Sequence, residues 1–277
     1  MLKNALVIAY RSDYMVDDTK IGQHYDRVEF QKGPVIYSRS DLYDAMFQLG
    51  DFNMQREEPY IIMDAMCGAG LVGKEISKRL ADQELAHLVH YVDVAEEKLR
   101  KLAAEGNVTT KASVFELPYE QDFFDRVYSR FGVKNYPPEE QKDIFRRFRF
   151  VMRPDGIFVL CDMESPRGAY EFMQAERREK HKYTGLEGGE PHIPTRDLWF
   201  QLLRESGLEP QRVSETKSYV TTTDWVNSKQ MTEDDLVKMN AFLLAAPGAA
   251  KRELNIREDG GLVKIDYPVV VISAKPA

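Results

Sequence analysis

From residue 60 onward the chain alternates two apolar patterns. Short unbroken runs, YIIM at residues 60–63, LVHYV at 88–92 and VVVI at 269–272, read as strands buried on both faces, as in a parallel sheet. Between them apolar residues recur at helical spacing. Val72, Ile76 and Leu80 form one such stripe, AEEKLRKLAAEG closed by Gly106 a second, and Ile144, Phe145, Phe148 and Val151 behind Pro138 a third. Further strands are expected over 126–129, 208–220 and 263–275, and further helices over DLWFQLLRESG and over TEDDLVKMNAFLLAAPGAAKREL, the latter capped by Thr232. Gly207 stops the first of these two. Ahead of residue 60, Ser40 is placed to cap a short helix through Leu42, Ala45, Met46 and Leu49 that Gly50 ends. Alternating strands and helices predict an α/β fold, a Rossmann-like sheet with helices on both faces.

The chemistry concentrates after the first strand. That strand ends on an acid, Asp64, and Gly68 and Gly70 then allow a sharp turn and a close backbone approach at a helix N-terminus. Gly68, Gly70 and Gly73 also satisfy GxGxxG, the pyrophosphate loop of nicotinamide and flavin enzymes. An acid just before that loop opposes a pyrophosphate and suits a ligand carrying an ammonium and a sulfonium. The second strand ends on Asp93, at about the 20-residue distance at which an acid grips ribose hydroxyls in a strand-helix-strand unit. A carboxylate accepts both hydrogen bonds of a vicinal diol.

The segment DAMCGAG resembles the first motif of class I S-adenosylmethionine-dependent methyltransferases. KASVFELPYEQDFFDRV is similar to that family's adenine-binding stretch, with Ser113 where Asp or Asn is usual. FGVKN (Phe131 to Asn135) and MRPDG (Met152 to Gly156) look like the FGxRN and RVLKPGG segments of the ubiquinone and menaquinone C-methyltransferases, the methyltransferase type 11 group. Lys134 stands for Arg there, Asp155 for a glycine, and Arg130 for the small polar residue usual before FG.

The resemblance implies a seven-stranded, mostly parallel sheet whose last strand runs antiparallel beside the sixth, and S-adenosyl-L-methionine as cofactor. Asp64, Cys67, Gly68, Ala69 and Gly70 would wrap its methionine half, Asp93 its ribose, and Ser113 with the Val114 N–H its adenine. Arg130 would lie near the methyl donor. Other readings left open are an enzyme of this fold that binds the cofactor without transferring the methyl, and an NAD- or FAD-linked oxidoreductase.

Composition narrows the partners. The chain has 277 residues, 43% hydrophobic and 30% charged, as in a globular protein, with a formal net charge of −7 and a pI near 5.4. No global basic field exists to hold nucleic acid, and no NPPY-like tetrad follows the fourth strand, so a small-molecule substrate is expected. Cys67 and Cys161 lie far apart and outside metal-ligand spacing, which predicts no metal and fits a cytoplasmic protein. The apolar run at 5–10 is too short for a membrane span and lacks a signal-peptide cleavage site. A homodimer is one assembly the sequence leaves open.

Residues 1–59 are expected to form a helical cap on a domain of 60–277, with His24, Tyr25 and Tyr37 facing the substrate. A lid insertion at 165–197, a charged helix and then a glycine- and proline-rich loop, would bring His181, Tyr183 and His192 above the strand ends. His192 and His181 are the candidate bases for a phenolate-like, aromatic or quinol-like acceptor, because imidazole titrates near neutrality. His87 and His90 read as structural, and Arg146, Arg147 and Arg149 as a solvated helix face.

Overall fold

The computed structural model describes residues 18–29, 39–53, 55–184 and 191–277. Tyr37 and the apolar run at 5–10 lie outside these residues.

Among the described residues eight strands make one sheet: β1 (Tyr60–Ala65), β2 (His87–Asp93), β3 (Val108–Lys111), β4 (Phe124–Arg130), β5 (Met152–Met163), β6 (Leu208–Thr221), β7 (Arg257–Asp259) and β8 (Leu262–Pro276). Their order is β3-β2-β1-β4-β5-β8-β6, with β7 paired to β8. The first five are parallel, and β8 runs antiparallel between β5 and β6. The seven-stranded pattern with its reversed last strand is therefore present, extended by the small β7.

Alternation assigns each side chain to a layer. Tyr60 and Ile62 enter one core with Val159, Cys161, Val269 and Val271, while Met63 and Ala65 enter the opposite core with Phe158, Leu160, Val270 and Ile272. Against the first layer pack α2 (Ser40–Leu49), α3 (Leu71–Asp82), α4 (Glu96–Ala104), α6 (Tyr170–Thr184) and α9 (Glu233–Leu244). Against the second pack α5 (Pro138–Val151) and α7 (Arg196–Glu205), through Ile144, Phe145, Phe148, Trp199 and Leu203. Two short helices, α1 (Asp18–Arg27) and α8 (Thr223–Asn227), add Ile21 to that side and Trp225 to the first. Chain order reverses between β1 and β4, so the crevice beyond their carboxyl ends is the place where such sheets bind ligands.

Several local expectations shift. Arg39, not Ser40, is the N-cap of α2, and no side chain caps it. Gly50 ends that helix in right-handed geometry (φ −66°); what requires glycine there is Tyr128, whose Oη would lie 2.1 Å from an added Cβ. The helix expected after Thr232 is two helices, Glu233–Leu244 and Gly248–Glu253, because Pro247 cannot continue the first. Thr232 does cap α9, accepting from the Asp235 N–H.

One buried carboxylate holds the amino ends of β1 and β4 together. Asp125, 2% exposed, accepts from the Ile61 N–H and from the guanidinium groups of Arg56 and Arg153, each at 2.8 Å. Burial pushes its pKa up, but the Arg56 bond, the Ile61 N–H and the two guanidinium charges outweigh burial, leaving the pKa below the usual carboxylate value. A depressed acid pKa contributes stability above the ordinary carboxylate range that disappears as pH falls through the folded value. Asp125→Ala should therefore cost roughly 2–3 kcal/mol in urea denaturation at pH 7, and the deficit should shrink toward pH 2.

Candidate functional site

The loop after β1 is held by the two acids that end the first two strands. Asp64 Oδ2 accepts from the Gly73 N–H at 2.8 Å, and Gly73 is the third residue of α3, whose N-cap Gly70 has no side chain to offer. Asp64 thus satisfies a helix-terminal donor from a neighbouring strand. Asp93 accepts from the Gly68 N–H through Oδ2 at 2.7 Å and from the Ala95 N–H through Oδ1 at 2.8 Å. One carboxylate so ties the turn to the carboxyl end of β2. Gly70 sits at φ 71°, where only glycine is at ease, and a Cβ on Gly73 would come within 2.4 Å of the Tyr91 ring.

Strain marks the same crevice. Met66 (φ 55°) and Phe131 (φ 57°) follow the adjacent strands β1 and β4, both in left-handed geometry that costs a non-glycine residue of order 1 kcal/mol or more. Both line one cavity with Asp64, Cys67, Gly68 and Ala69.

The electrostatics are unusual for surface acids and follow from burial. Asp64 is 2% exposed; burial pushes its pKa up to about 7, against the pull of the Gly73 N–H and the Arg130 charge, with Asp93 adding to the rise. Asp93 is raised as well, by burial, opposed by the N–H groups of Gly68, Ala95 and Val94. Arg130, at the end of β4, donates to Tyr43 Oη at 2.8 Å.

Of the residues singled out from sequence, Asp64, Cys67, Gly68, Ala69, Asp93, Val114 and Arg130 come together on one cavity, which His24, Tyr25 and His181 also line. Gly70, the cap of α3 against Tyr91 and Leu102, is not among the residues lining that cavity. Ser113 is also outside it: β3 ends at Lys111, and the Ser113 Oγ accepts from the Phe115 N–H at 3.3 Å in a local turn.

Two further expectations are corrected. His192 does not line the cavity. Its Nε2 pairs with Tyr170 Oη at 2.8 Å and its backbone with Lys134 and Gln141, and burial pushes its pKa down to about 4. That imidazole braces two segments. Tyr183 faces away as well, donating to Glu179 at 2.5 Å under the Lys238 ammonium.

His87 and His90 are structural as expected, the first bonded to Ser77 and to the Leu85 carbonyl, the second packed among Tyr119, Phe123 and Phe124. Cys67 and Cys161 are free thiols, and among the described residues no cluster of metal-ligating side chains occurs.

The inner end of the cavity holds residues that pattern reading missed: Arg177 and Lys180 on α6, Trp225 and Gln230 after β6, and Tyr267 on β8. The signal was present in α6. Its apolar stripe of Phe172 and Met173 is continued at the same spacing by Glu176, Arg177, Lys180, His181 and Thr184, all of them buried. A face that should be apolar yet is polar, and still turns inward, lines a site.

Residues 62–156 match a family model described as a methyltransferase domain. The ubiquinone/menaquinone biosynthesis C-methyltransferase UbiE of Rickettsia felis is 26% identical over 203 residues, covering 61% of this chain and 81% of that protein. Among solved structures, the BH2331 protein of Bacillus halodurans C-125 superposes with a TM-score of 0.72 at 16% identity, over 86% of this chain and all of that one. The [4+2]-cyclase SpnF superposes with a TM-score of 0.56 at 13% identity, over 96% of this chain and 99% of that one.

Fold, loop and relatives together define the class: this is a class I S-adenosylmethionine-dependent methyltransferase. Within that class the chain is similar to the ubiquinone and menaquinone C-methyltransferases. The cofactor is S-adenosylmethionine, and the residues present fit it, since two buried carboxylates flank a glycine turn that offers its backbone to the cavity.

An acid whose folded pKa is raised opposes stability more as pH rises from its unfolded to its folded value. Asp64→Asn keeps an acceptor for the Gly73 N–H and removes the charge. Its melting temperature without ligand should exceed that of the native chain by a margin that grows from pH 4 to pH 7 and is constant above. A margin independent of pH would show that Asp64 is ordinary in acidity; calorimetric scans across that range decide.

Proposed function

We propose that this enzyme methylates a small aromatic or quinol-like acceptor held at the inner end of the cavity. The observation that carries the reading is the continuity of one cavity from the acid-flanked glycine turn to a wall of Tyr25, His181, Trp225 and Tyr267. S-adenosylmethionine supplies the methyl carbon as an electrophile, its bond to sulfur breaking toward the sulfur. What the protein adds is position, dryness and a place for the acceptor's proton.

In this reading Asp93 accepts from the ribose hydroxyls and the Val114 N–H meets the adenine. Asp64 faces the ammonium, and Cys67, Gly68 and Ala69 give their backbone to the methionine half. Arg130 answers its carboxylate, as a planar guanidinium can. His181, buried on α6 and lining the inner wall, takes the acceptor proton. His24, on the same wall, stays neutral at pH 7 because burial, then the Lys180 and Arg27 charges, push its pKa down to about 4. The helices Asp18–Arg27 and Tyr170–Thr184 serve as cap and lid over this end. The free thiols suit a reducing cytoplasm, and among the described residues no helix is long and apolar enough to cross a membrane.

A second reading, cofactor binding without methyl transfer, is kept open by one observation: the same fold, over nearly the whole chain, serves a protein named for a different reaction, the [4+2]-cyclase SpnF. Methyl-labelled cofactor with a panel of phenols and quinols separates the two. Transfer of label supports the first reading. Tight binding with product that carries no label supports the second.

In that assay His181→Ala should lower kcat by about 100-fold or more, whereas His192→Ala should leave catalysis within a few-fold of native. Full activity in His181→Ala would remove it from the mechanism. Calorimetry with S-adenosylhomocysteine should show Asp93→Ala weaker by roughly 10- to 100-fold. Native affinity should rise between pH 6 and pH 7.5, as Asp64 ionises, and Asp64→Asn should lose that rise.

A further inference from the structure

The inner end of the cavity carries more positive charge than its acids answer. Glu176 accepts from Tyr267 Oη at 2.9 Å and lies 3.8 Å from Arg177 Nε, so those two charges are set against each other. Lys134 has Asp162 at 3.4 Å. Lys180 differs. It is 7% exposed, and its ammonium donates to the neutral Gln230 Oε1 at 3.0 Å and sits 4.3 Å from the centroid of the Trp225 ring. Among the described residues no carboxylate lies within ion-pair distance of it.

An ammonium has three protons, and here one amide oxygen and one π face attend to it. Burial pushes the lysine well below its ordinary pKa, and the neighbouring Arg177 and Lys134 charges push the same way against Glu176. Holding such a group in a dry wall opposes folding unless something else completes it. The aromatic surface beside it, from Trp225 and Tyr267, fits a flat ring carrying an anion.

We propose that Lys180 is the counter-charge for a carboxylate on the acceptor, so that the substrate class is a small aromatic acid rather than a neutral quinol. This rests on the methyl-transfer reading and narrows it. Arg177 and Gln230 orient the carboxylate around the ammonium, and Trp225 covers the ring.

The test uses the full chain saturated with S-adenosylhomocysteine, and two matched pairs of probes, benzoate with benzamide and 4-hydroxybenzoate with 4-hydroxybenzamide. At least one acid should bind about 30-fold more tightly than its amide, the loss expected when a desolvated charge is left without its partner. Lys180→Gln should erase that preference, leave the affinity for S-adenosylhomocysteine unchanged, and raise the melting temperature of the ligand-free chain. Equal affinity for acid and amide, no binding of either acid, a preference that survives Lys180→Gln, or a lower melting temperature in the variant would each overturn the assignment. Failure of the native chain to bind S-adenosylhomocysteine would instead strike the methyl-transfer reading itself.

Discussion

Two carboxylates at the ends of neighbouring parallel strands hold this site in shape. Asp64 closes the open N-terminus of α3 through Gly73, and Asp93 ties down the glycine turn through Gly68. Neither has a basic side chain within ion-pair distance among the described residues, and both are buried, so their pKa values rise. The loop is thus built with negative charge kept in an unfavourable, nearly dry place. A cationic ligand relieves that condition, which is why the same two residues can serve as structural anchors and as a binding surface.

The sheet exists to aim those acids. Its alternation places Tyr60 and Ile62 in one core and Met63 and Ala65 in the other, which fixes where Asp64 stands at the carboxyl end of β1. The order reversal between β1 and β4 opens the crevice, and the left-handed residues Met66 and Phe131 bend the chain out of both strands to line it. On the far side, β8 between β5 and β6 brings Tyr267 against α6, where its hydroxyl donates to Glu176.

Periodicity made most of this legible. Apolar runs and helical stripes located the strands and the helices that cover them, and the acid-glycine motif located the loop. What escaped was whatever depends on tertiary direction. Ser113 reads as a site residue by alignment with a motif, yet β3 ends at Lys111 and the serine turns to its own backbone. His192 has the right chemistry in a loop near the strand ends, but Tyr170 and Gln141 hold it outside the cavity. Helix α6 misled in the opposite sense, because charged side chains are normally solvated and these face inward. Its polar continuation of an apolar stripe is a sequence feature, though one that only burial makes interpretable. Left-handed geometry at Met66 and Phe131 has no sequence signal at all.

The binding site proposed here depends most directly on the acidity of Asp64. Carboxyl-carbon NMR of the chain labelled at aspartate, assigned through Asp64→Asn, would follow this group with and without S-adenosylmethionine. The ligand-free protein should show a midpoint near 7, and cofactor binding should lower it by more than a pH unit. A ligand-free midpoint near 4, or one that the cofactor leaves in place, would contradict this.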